Sequence, residues 1–591
     1  MTDKVIAQVV STLRGSALPE GKQFELAVQA LTWAHLSTIG AIPEDLRLTS
    51  EVAANPHRAA TLMAGLGAIG GLVGQAFAGS DVPDNARHLA AALETSLRLS
   101  TMGLVANLQI ADVFASLQPK TGLLGLPAEL AELMVGLAQV EAGQEVYVPW
   151  DTTAQLAVRA AVSDAQVYFE DPLHSAIPPL VSLLSKRPFE VHFGNPILDP
   201  SAVENGKLKK FAVTIAAPPF GQRFDHKALD HDVFHRFRYP SLSPAVLALQ
   251  HVLSQTSGRA IVLVPNSFLF SGSAAEVEFR RELVTQGLLR AVIQLPAIFP
   301  ASNVAASLLV IDATAANPEV RFLNADAERF RTQTTKSRSR LCEIENLIEE
   351  ARGSSAVPSP IRREVGTAEI EGNDWNLQPQ RYLLGSAAQQ IQDRLTKGDT
   401  TPLGNLVEVL RPLPVLRDGG GMRAFEVGAA DLPPFGFIRT ASRAVTIDPQ
   451  VSERNVHQFL QPCDIVIVVK GSTGKIGIVP PDAPPPGEGG WIAGQSAVVL
   501  RTKAGAPIDA VPLAMQLRSP VGQELLKVIT SGASIPLIQI RELLQLQLFV
   551  PDAATADIAK TALEEEAALQ AQIDELRARQ TKAAAELWQL V

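Results

Sequence analysis

The spacing of apolar residues changes character along the chain, and each rhythm predicts a different kind of element. From residue 1 to about 140 the period is helical: Leu31, Ala34, His35 and Ile39 share one face, and so do Leu89, Leu93, Leu97 and Leu99 with slight drift. Residues 127–135 make another amphipathic run. From about 141 to 325 short apolar runs alternate with helical ones. Residues 145–149, 166–170, 211–216, 260–265, 289–295 and 306–311 read as strands and 155–162 as a helix. Strands alternating with helices predict a doubly wound, mostly parallel sheet. A basic, polar stretch at 329–340 and a Ser/Pro-rich one at 353–360 read as a connector. From 400 to 552 glycine, proline and β-branched residues dominate, with strands expected at 464–470, 475–479 and 497–501. The tail, 553–591, is one long helical pattern. Its positions Leu569, Ile573, Leu576, Gln580, Ala583, Leu587 and Leu590 form a heptad seam with one polar interruption.

Composition narrows this only a little. At roughly 150 residues per domain, 591 residues suggest about four. With 46% apolar and 19% charged residues the chain is ordinary globular protein. Cys342 and Cys463 cannot build a disulfide framework, and no cluster has zinc-ligand spacing, so no metal is expected. The start, Met1-Thr2-Asp3-Lys4, lacks a basic region followed by an apolar core, which predicts no signal peptide and a cytoplasmic protein. Residues 59–78 are apolar enough to raise the membrane question. Their glycines, Gln75 and the flanking His57, Arg58 and Asp81 favour a buried helix or helix pair. The net charge of -10 argues against a polyanion binder held by bulk charge, but not against local basic patches.

Candidate chemistry begins at 145–171. Strand, loop, helix, strand and then Glu170 is the order of a nucleotide-binding βαβ half, and a carboxylate there can take both hydroxyls of a ribose. The loop 150–155, Trp-Asp-Thr-Thr-Ala-Gln, has no glycine to let a ligand approach the backbone. After the strand at 211–216 comes Ala217-Pro218-Pro219-Phe220. This resembles the Asn-Pro-Pro-Phe/Tyr signature of amino-group DNA methyltransferases, whose aromatic ring stacks on a flipped base. Phe193-Gly194-Asn195-Pro196-Ile197, residues 258–270, Leu295 to Phe299 and Asn373 to Tyr382 follow the order found in modification subunits of type I restriction systems, DNA adenine-N6 methyltransferases. The resemblance spans about 120 to 385. It implies S-adenosylmethionine as cofactor, but four motifs are altered. The cofactor loop falls on 148–155 with only Pro149 matching, the adenine-holding acid on Asn195, the catalytic Asn on Ala217, and an earlier Phe/Tyr-Thr-Pro element on Gly125-Leu126-Pro127. Glu170, the two prolines and Phe220 remain.

Residues 400–552 resemble the target-recognition domain of type I specificity subunits. The resemblance is carried by Pro402-Leu403-Gly404, Pro462 to Val466, Gly471 to Gly477, Gly494-Gln495-Ser496, 532–536 and Leu548 to Pro551. The expected organisation is therefore multidomain α/β. It comprises a helical N-terminal domain (1–140), a doubly wound, Rossmann-like methyltransferase domain (141–385), a mixed α/β target-recognition domain (386–552) and a long, coiled-coil-like C-terminal helix (553–591). The expected activity is binding of double-stranded DNA without methyl transfer or bound cofactor, within a restriction-like or phage-defence system. Lys470, Gly471, Ser472 and Lys475 would contact DNA, helped by Arg223, Arg236 and Arg238 beside the old catalytic face. One recognition domain and one helix per chain predict a homodimer, with restriction or defence subunits as further partners and no membrane. An active S-adenosylmethionine-dependent enzyme and an assembly subunit that leaves DNA alone are the alternatives.

Overall fold

The structure, a computed structural model, describes residues 2–80, 86–106, 108, 111–113, 125–162, 164–226, 230, 232–299, 304–314, 316–335, 338–353, 359, 361–383, 395, 398–416, 421–531 and 536–588. Residues 336–337, 354–358, 360 and 532–535, the side chain of Leu587 and all of Leu590 lie outside the description. The chain forms two compact units, Met1–Leu383 and Leu384–Val591.

The first unit is built on nine strands. They are β1 (Glu145–Pro149), β2 (Gln166–Asp171), β3 (Glu190–Phe193), β4 (Phe211–Ala216), β5 (Thr256–Pro265), β6 (Leu289–Gln294), β7 (Ala306–Asp312), β8 (Glu319–Asn324) and β9 (Arg362–Gly366). Their order in the sheet is β3-β2-β1-β4-β5-β7-β6-β8-β9. Strands β1 to β5 run parallel, β7 runs antiparallel to both its neighbours, β8 is parallel to β6, and β9 closes the edge antiparallel to β8. The chain winds outward from β1 in one direction and from β4 in the other. The crevice at the carboxyl ends of β1 and β4 is therefore where an open α/β sheet binds ligands.

Both faces of the sheet are covered, which is why its central strands are apolar on both sides. One face carries a hydrophobic cluster continuous from Val5 through Leu31, Leu93 and Leu133 to Val148, Ile215, Leu308 and Leu347. The N-terminal helices thus share a core with the sheet. The other face buries Val246, Val262, Phe279, Val292 and Phe322. Glu20–Thr38 is apolar nearly all round and correspondingly buried. The apolar stretch near 59–78 is a helix pair, Pro56–Gly67 and Gly71–Phe77. The first has Pro56 in its opening turn and is capped by Asn55, whose side chain accepts from Arg58 N at 3.2 Å. Only glycine fits at 74, because a Cβ there would lie 1.7 Å from the Ile69 carbonyl oxygen. Among the described residues no helix is long and apolar enough to cross a membrane.

The basic segment expected to be a plain connector is an exposed hairpin, Arg331–Thr335 paired with Arg338–Leu341. Apart from Leu341, which is buried at its base, its polar residues satisfy backbone pairing without a buried face, so no apolar alternation betrays it.

The second unit contains a four-stranded antiparallel sheet in the order Val407–Leu410, Ala497–Thr502, Ile465–Val468, Ile476–Ile478. A three-stranded sheet of Arg443–Ile447, Met422–Val427 and Trp491–Ala493 accompanies it. The helix Ala553–Trp588 docks its first half on this unit. Leu563 is buried, Lys560 pairs with Asp509 at 3.0 Å, and Glu566 accepts from Gly436 N at 2.9 Å. Arg439 pairs with Asp574. On the same helix Leu569, Ile573 and Leu576 face solvent, 60%, 41% and 58% exposed.

Candidate functional site

At the carboxyl end of β1 the chain turns sharply into the helix Gln155–Val162. Trp150 and Ala154 both adopt left-handed backbone there, at φ +61° and +56°. That conformation costs a residue with a Cβ about 1–2 kcal/mol, so packing must hold it. The side chains of Trp150, Asp151, Thr153, Ala154 and Gln155 are all buried. Asp151 Oδ2 accepts from Leu156 N at 2.6 Å and from Ala157 N at 3.4 Å. These first-turn amides are the groups a helix offers to an anionic ligand, and the chain's own carboxylate sits on them. Burial pushes the Asp151 carboxyl up to about 6. Asp151 Oδ1, Thr153 Oγ1 and Gln155 Nε2 are buried without a hydrogen-bond partner.

The two acids that end β2 are committed elsewhere. Glu170, fully buried, accepts from Ser201 N at 2.6 Å and from the Tyr147 hydroxyl. Asp171 accepts from Leu173 N at 2.9 Å and Ser175 N at 2.7 Å, closing the turn that follows β2. Burial raises the pKa of both. A Cβ on Gly194 would meet Glu170 Oε1 at 2.5 Å, so the next loop lies directly on this carboxylate. Asn195, at the position expected to hold adenine, instead builds a turn: its Oδ1 accepts from Ile197 N at 3.0 Å and Leu198 N at 3.1 Å.

A buried polar chain ties these pieces together. Arg236 Nη1 donates to His251 Nδ1 at 2.8 Å, so His251 carries its proton on Nε2, 3.0 Å from the Tyr147 oxygen. Tyr147 in turn donates to Glu170. Arg236 also donates to the carbonyls of Pro196 and Ile197, both at 2.6 Å, and pairs with Asp232 at 2.8 Å. Burial and the Arg236 charge hold the His251 pKa well below its usual value, and burial beside Glu170 raises that of Tyr147. Arg236 was expected to reach DNA. It is 6% exposed, and Nε and both terminal nitrogens are engaged, so it clamps the 195–199 turn instead. Asp232, four residues earlier, was the available signal. Tyr147, His251 and Asp171 were missed because an isolated Tyr or His in an apolar run reads as core.

Ala217 to Phe220 leave the carboxyl end of β4 as expected. Ala217 is buried, and its methyl group can neither donate nor accept a hydrogen bond. Phe220 is half-buried, edge-on to Phe299 at 6.1 Å. The adjoining pocket holds about 100 Å³, below the roughly 300–1,000 Å³ of typical ligand sites. Its lining has the hydroxyls of Ser243 and Ser267 but no amide or carboxylate side chain. Arg223 is exposed just beyond Phe220. Arg238 is exposed too, but it lines a cavity with Thr256 and Gly258, at the amino end of β5. Pro265, at the other end of β5, lines the Phe220 pocket. At about 3.3 Å per residue the two ends are roughly 30 Å apart, so Arg238 is not beside Phe220.

In the second unit Lys470, Gly471, Ser472 and Lys475 stand exposed on the hairpin between Ile465–Val468 and Ile476–Ile478. Gly471 (φ +84°) and Gly474 (φ +82°) make its turn. Three of the hairpin's backbone amides are used within the protein. Lys470 N, Gly471 N and Gly474 N donate to the carbonyls of Ser496, Pro536 and Val468. What the hairpin presents is side chains, two of them cationic.

Residues 184–391 match the N-6 DNA Methylase family. The match includes Asn195 and Ala217 to Phe220 and begins after the Asp151 loop and Glu170. The MjaVII methylase subunit of a type I restriction enzyme from Methanocaldococcus jannaschii is 24% identical over 304 residues, 46% of this chain. The chain spans about half, 52%, of that relative's length. Among solved structures, the methyltransferase subunit of the type I restriction-modification system from Streptococcus thermophilus is similar at a TM-score of 0.55 and 15% identity, covering 64% of this chain and 98% of that one. A chain from a structure of type I restriction-modification complex assembly is similar at 0.52 and 17%, covering 67% and 95%. The chain is similar to type I restriction-modification methyltransferase subunits over part of its length, and its large mixed central sheet has their fold.

Proposed function

We propose that this chain is a DNA-binding protein on a type I restriction-modification methyltransferase fold that has lost methyl transfer. The observation that carries the reading is Asp151. Its carboxylate occupies the helix N-terminus at the switch point, within a turn whose side chains, Thr152 apart, are packed inward. S-adenosylmethionine does not fit the residues present: its charged end would compete with Asp151, and Glu170 is sealed by Tyr147 and Ser201. Nor does Ala217 supply the acceptor that an exocyclic amine needs, and losing one such group costs on the order of 10²–10³ in rate.

On this reading residues 386–552 form a target-recognition domain and lead contact with double-stranded DNA through Lys470, Ser472 and Lys475, with Arg223 assisting. The exposed seam of the C-terminal helix joins two copies, so that two recognition domains read a split, two-fold site. Restriction or defence subunits are the expected further partners. Calorimetry with S-adenosylmethionine, together with a radiolabel transfer assay on mixed-sequence DNA, tests the central claim. No heat at millimolar cofactor and no label in DNA are expected. Micromolar binding with label on adenine would overturn it.

A further inference from the structure

A cavity of about 740 Å³ opens at the amino edge of the sheet, across β5 from Phe220. Its volume lies within the range of small-molecule sites. Leu253 and Phe279 supply apolar wall, and Lys207, Lys210 and Arg238 line it as well. Two features distinguish it from an incidental groove. Gln250, which lines the cavity, is 5% exposed; its Oε1 accepts from Tyr239 N at 3.0 Å, while Nε2 is buried with no partner. A buried donor left unmade is unfavourable, and an acceptor on a bound molecule would satisfy it. The second feature is charge. Lys209 is neutralised by Glu145 at 2.6 Å and Glu204 at 3.3 Å, whereas Lys207 and Lys210 on either side have no ion pair among the described residues. Arg238 approaches Glu282 only to 3.8 Å, and that carboxylate already accepts from Tyr239 and from Gln286.

We infer that this cavity binds an organic phosphate of mononucleotide size. Its phosphoryl group would lie among Lys207, Lys210 and Arg238, its planar body against Phe279 and Leu253, and an acceptor on that body would take the Gln250 amide. The two unpaired lysines beside Arg238 outweigh the single carboxylate of the lining, Glu282, and call for an anion, and the apolar wall calls for a body that inorganic phosphate lacks. The site shares no lining residue with the Asp151 loop or the Phe220 pocket, although Arg236, which clamps the 195–199 turn, reaches its wall.

Titration of the full chain with AMP and GMP, adenosine and inorganic phosphate tests this. At least one nucleotide should bind, with adenosine and phosphate each weaker by about tenfold or more. The double variant Lys207→Glu/Lys210→Glu alters exposed side chains and should keep the native thermal unfolding profile while losing nucleotide binding. Gln250→Leu should weaken binding about fivefold or more, the loss of one hydrogen bond. Absence of binding by both nucleotides, equal affinity in the lysine variant, or competitive displacement of the nucleotide by duplex DNA would overturn the inference.

Discussion

Replacing Asp151 by asparagine isolates the charge at the N-terminus of the helix Gln155–Val162. The native carboxyl titrates at about 6, against 3.8 for an unburied aspartate. Because the folded value is the higher, the folded protein keeps a proton through this window that the unfolded chain has released. Stability therefore falls as pH rises through it, and the whole loss is present above about pH 6. A gap of about two units at 1.36 kcal/mol each amounts to roughly 3 kcal/mol. Asparagine retains an oxygen for Leu156 N and places an amide where a protonated acid would put its hydroxyl. Near pH 4, where the native carboxyl is largely protonated, the two proteins should differ by less than about 0.5 kcal/mol. At about pH 7.5 the asparagine variant should be the more stable by roughly 3 kcal/mol. Glu170 and Asp171, also shifted upward by burial, contribute equally to both proteins and cancel in the difference. Urea unfolding followed by tryptophan fluorescence measures it, since Trp150 is buried 5.7 Å from the His251 ring and reports on this turn. An advantage that is the same at both pH values, or a variant less stable at the higher one, would refute the assignment of a buried charge to Asp151.

Three other outcomes are expected. Arg236→Ala strands the Asp232 carboxylate and frees the 195–199 turn, so urea unfolding should show a loss of about 3–5 kcal/mol, against less than about 0.5 for exposed Arg238→Ala; equal effects would remove the clamp. Lys470→Glu with Lys475→Glu should weaken duplex binding and flatten its dependence on salt, measured by fluorescence anisotropy. Unchanged affinity would place the contact elsewhere. Leu569→Glu, Ile573→Glu and Leu576→Glu together should turn a dimer into a monomer by light scattering at tens of micromolar; a native chain that is already monomeric there contradicts the seam. Point changes serve better than removing 553–591, because Leu563 and Glu566 belong to the second unit's own packing.

The central strands and the helix at 155–162 were legible because burial on both faces leaves a run of apolar residues that the eye can find. Residues 145–149, 155–162 and 211–216 match their elements to the residue. β3 and β9 escaped for the opposite reason. They are the two edges of the sheet, and edge strands carry charge, as in Arg362-Arg363-Glu364. β8 went unread beside them: Arg321 interrupts its apolar run and pairs with Glu364 of β9. The site divides the same way. The missing glycines and the alanine at 217 could be read directly. The partners of Glu170 could not, since Tyr147 and His251 are 104 residues apart and meet only through β1 and the helix Pro244–Gln255. Arg236 was misread because Arg-Phe-Arg looks like a basic patch until its burial is known.

On the proposed reading, the loop at 150–155 also bears on how such a fold survives the loss of a ligand. Its backbone still passes through left-handed positions at Trp150 and Ala154, a path natural to glycine and unfavourable for these side chains. A loop free to relax would leave that path. It is kept because the inward side chains and the Asp151 carboxylate hold the helix N-terminus in place, while Arg236 fixes the facing turn through two carbonyls. On the proposed reading, the contacts a cofactor would make with this crevice are made by the protein itself. The three unpartnered polar atoms around Asp151 are the part of that substitution left incomplete. They mark the crevice as strained, and the pH-dependent instability argued for Asp151 is its thermodynamic consequence.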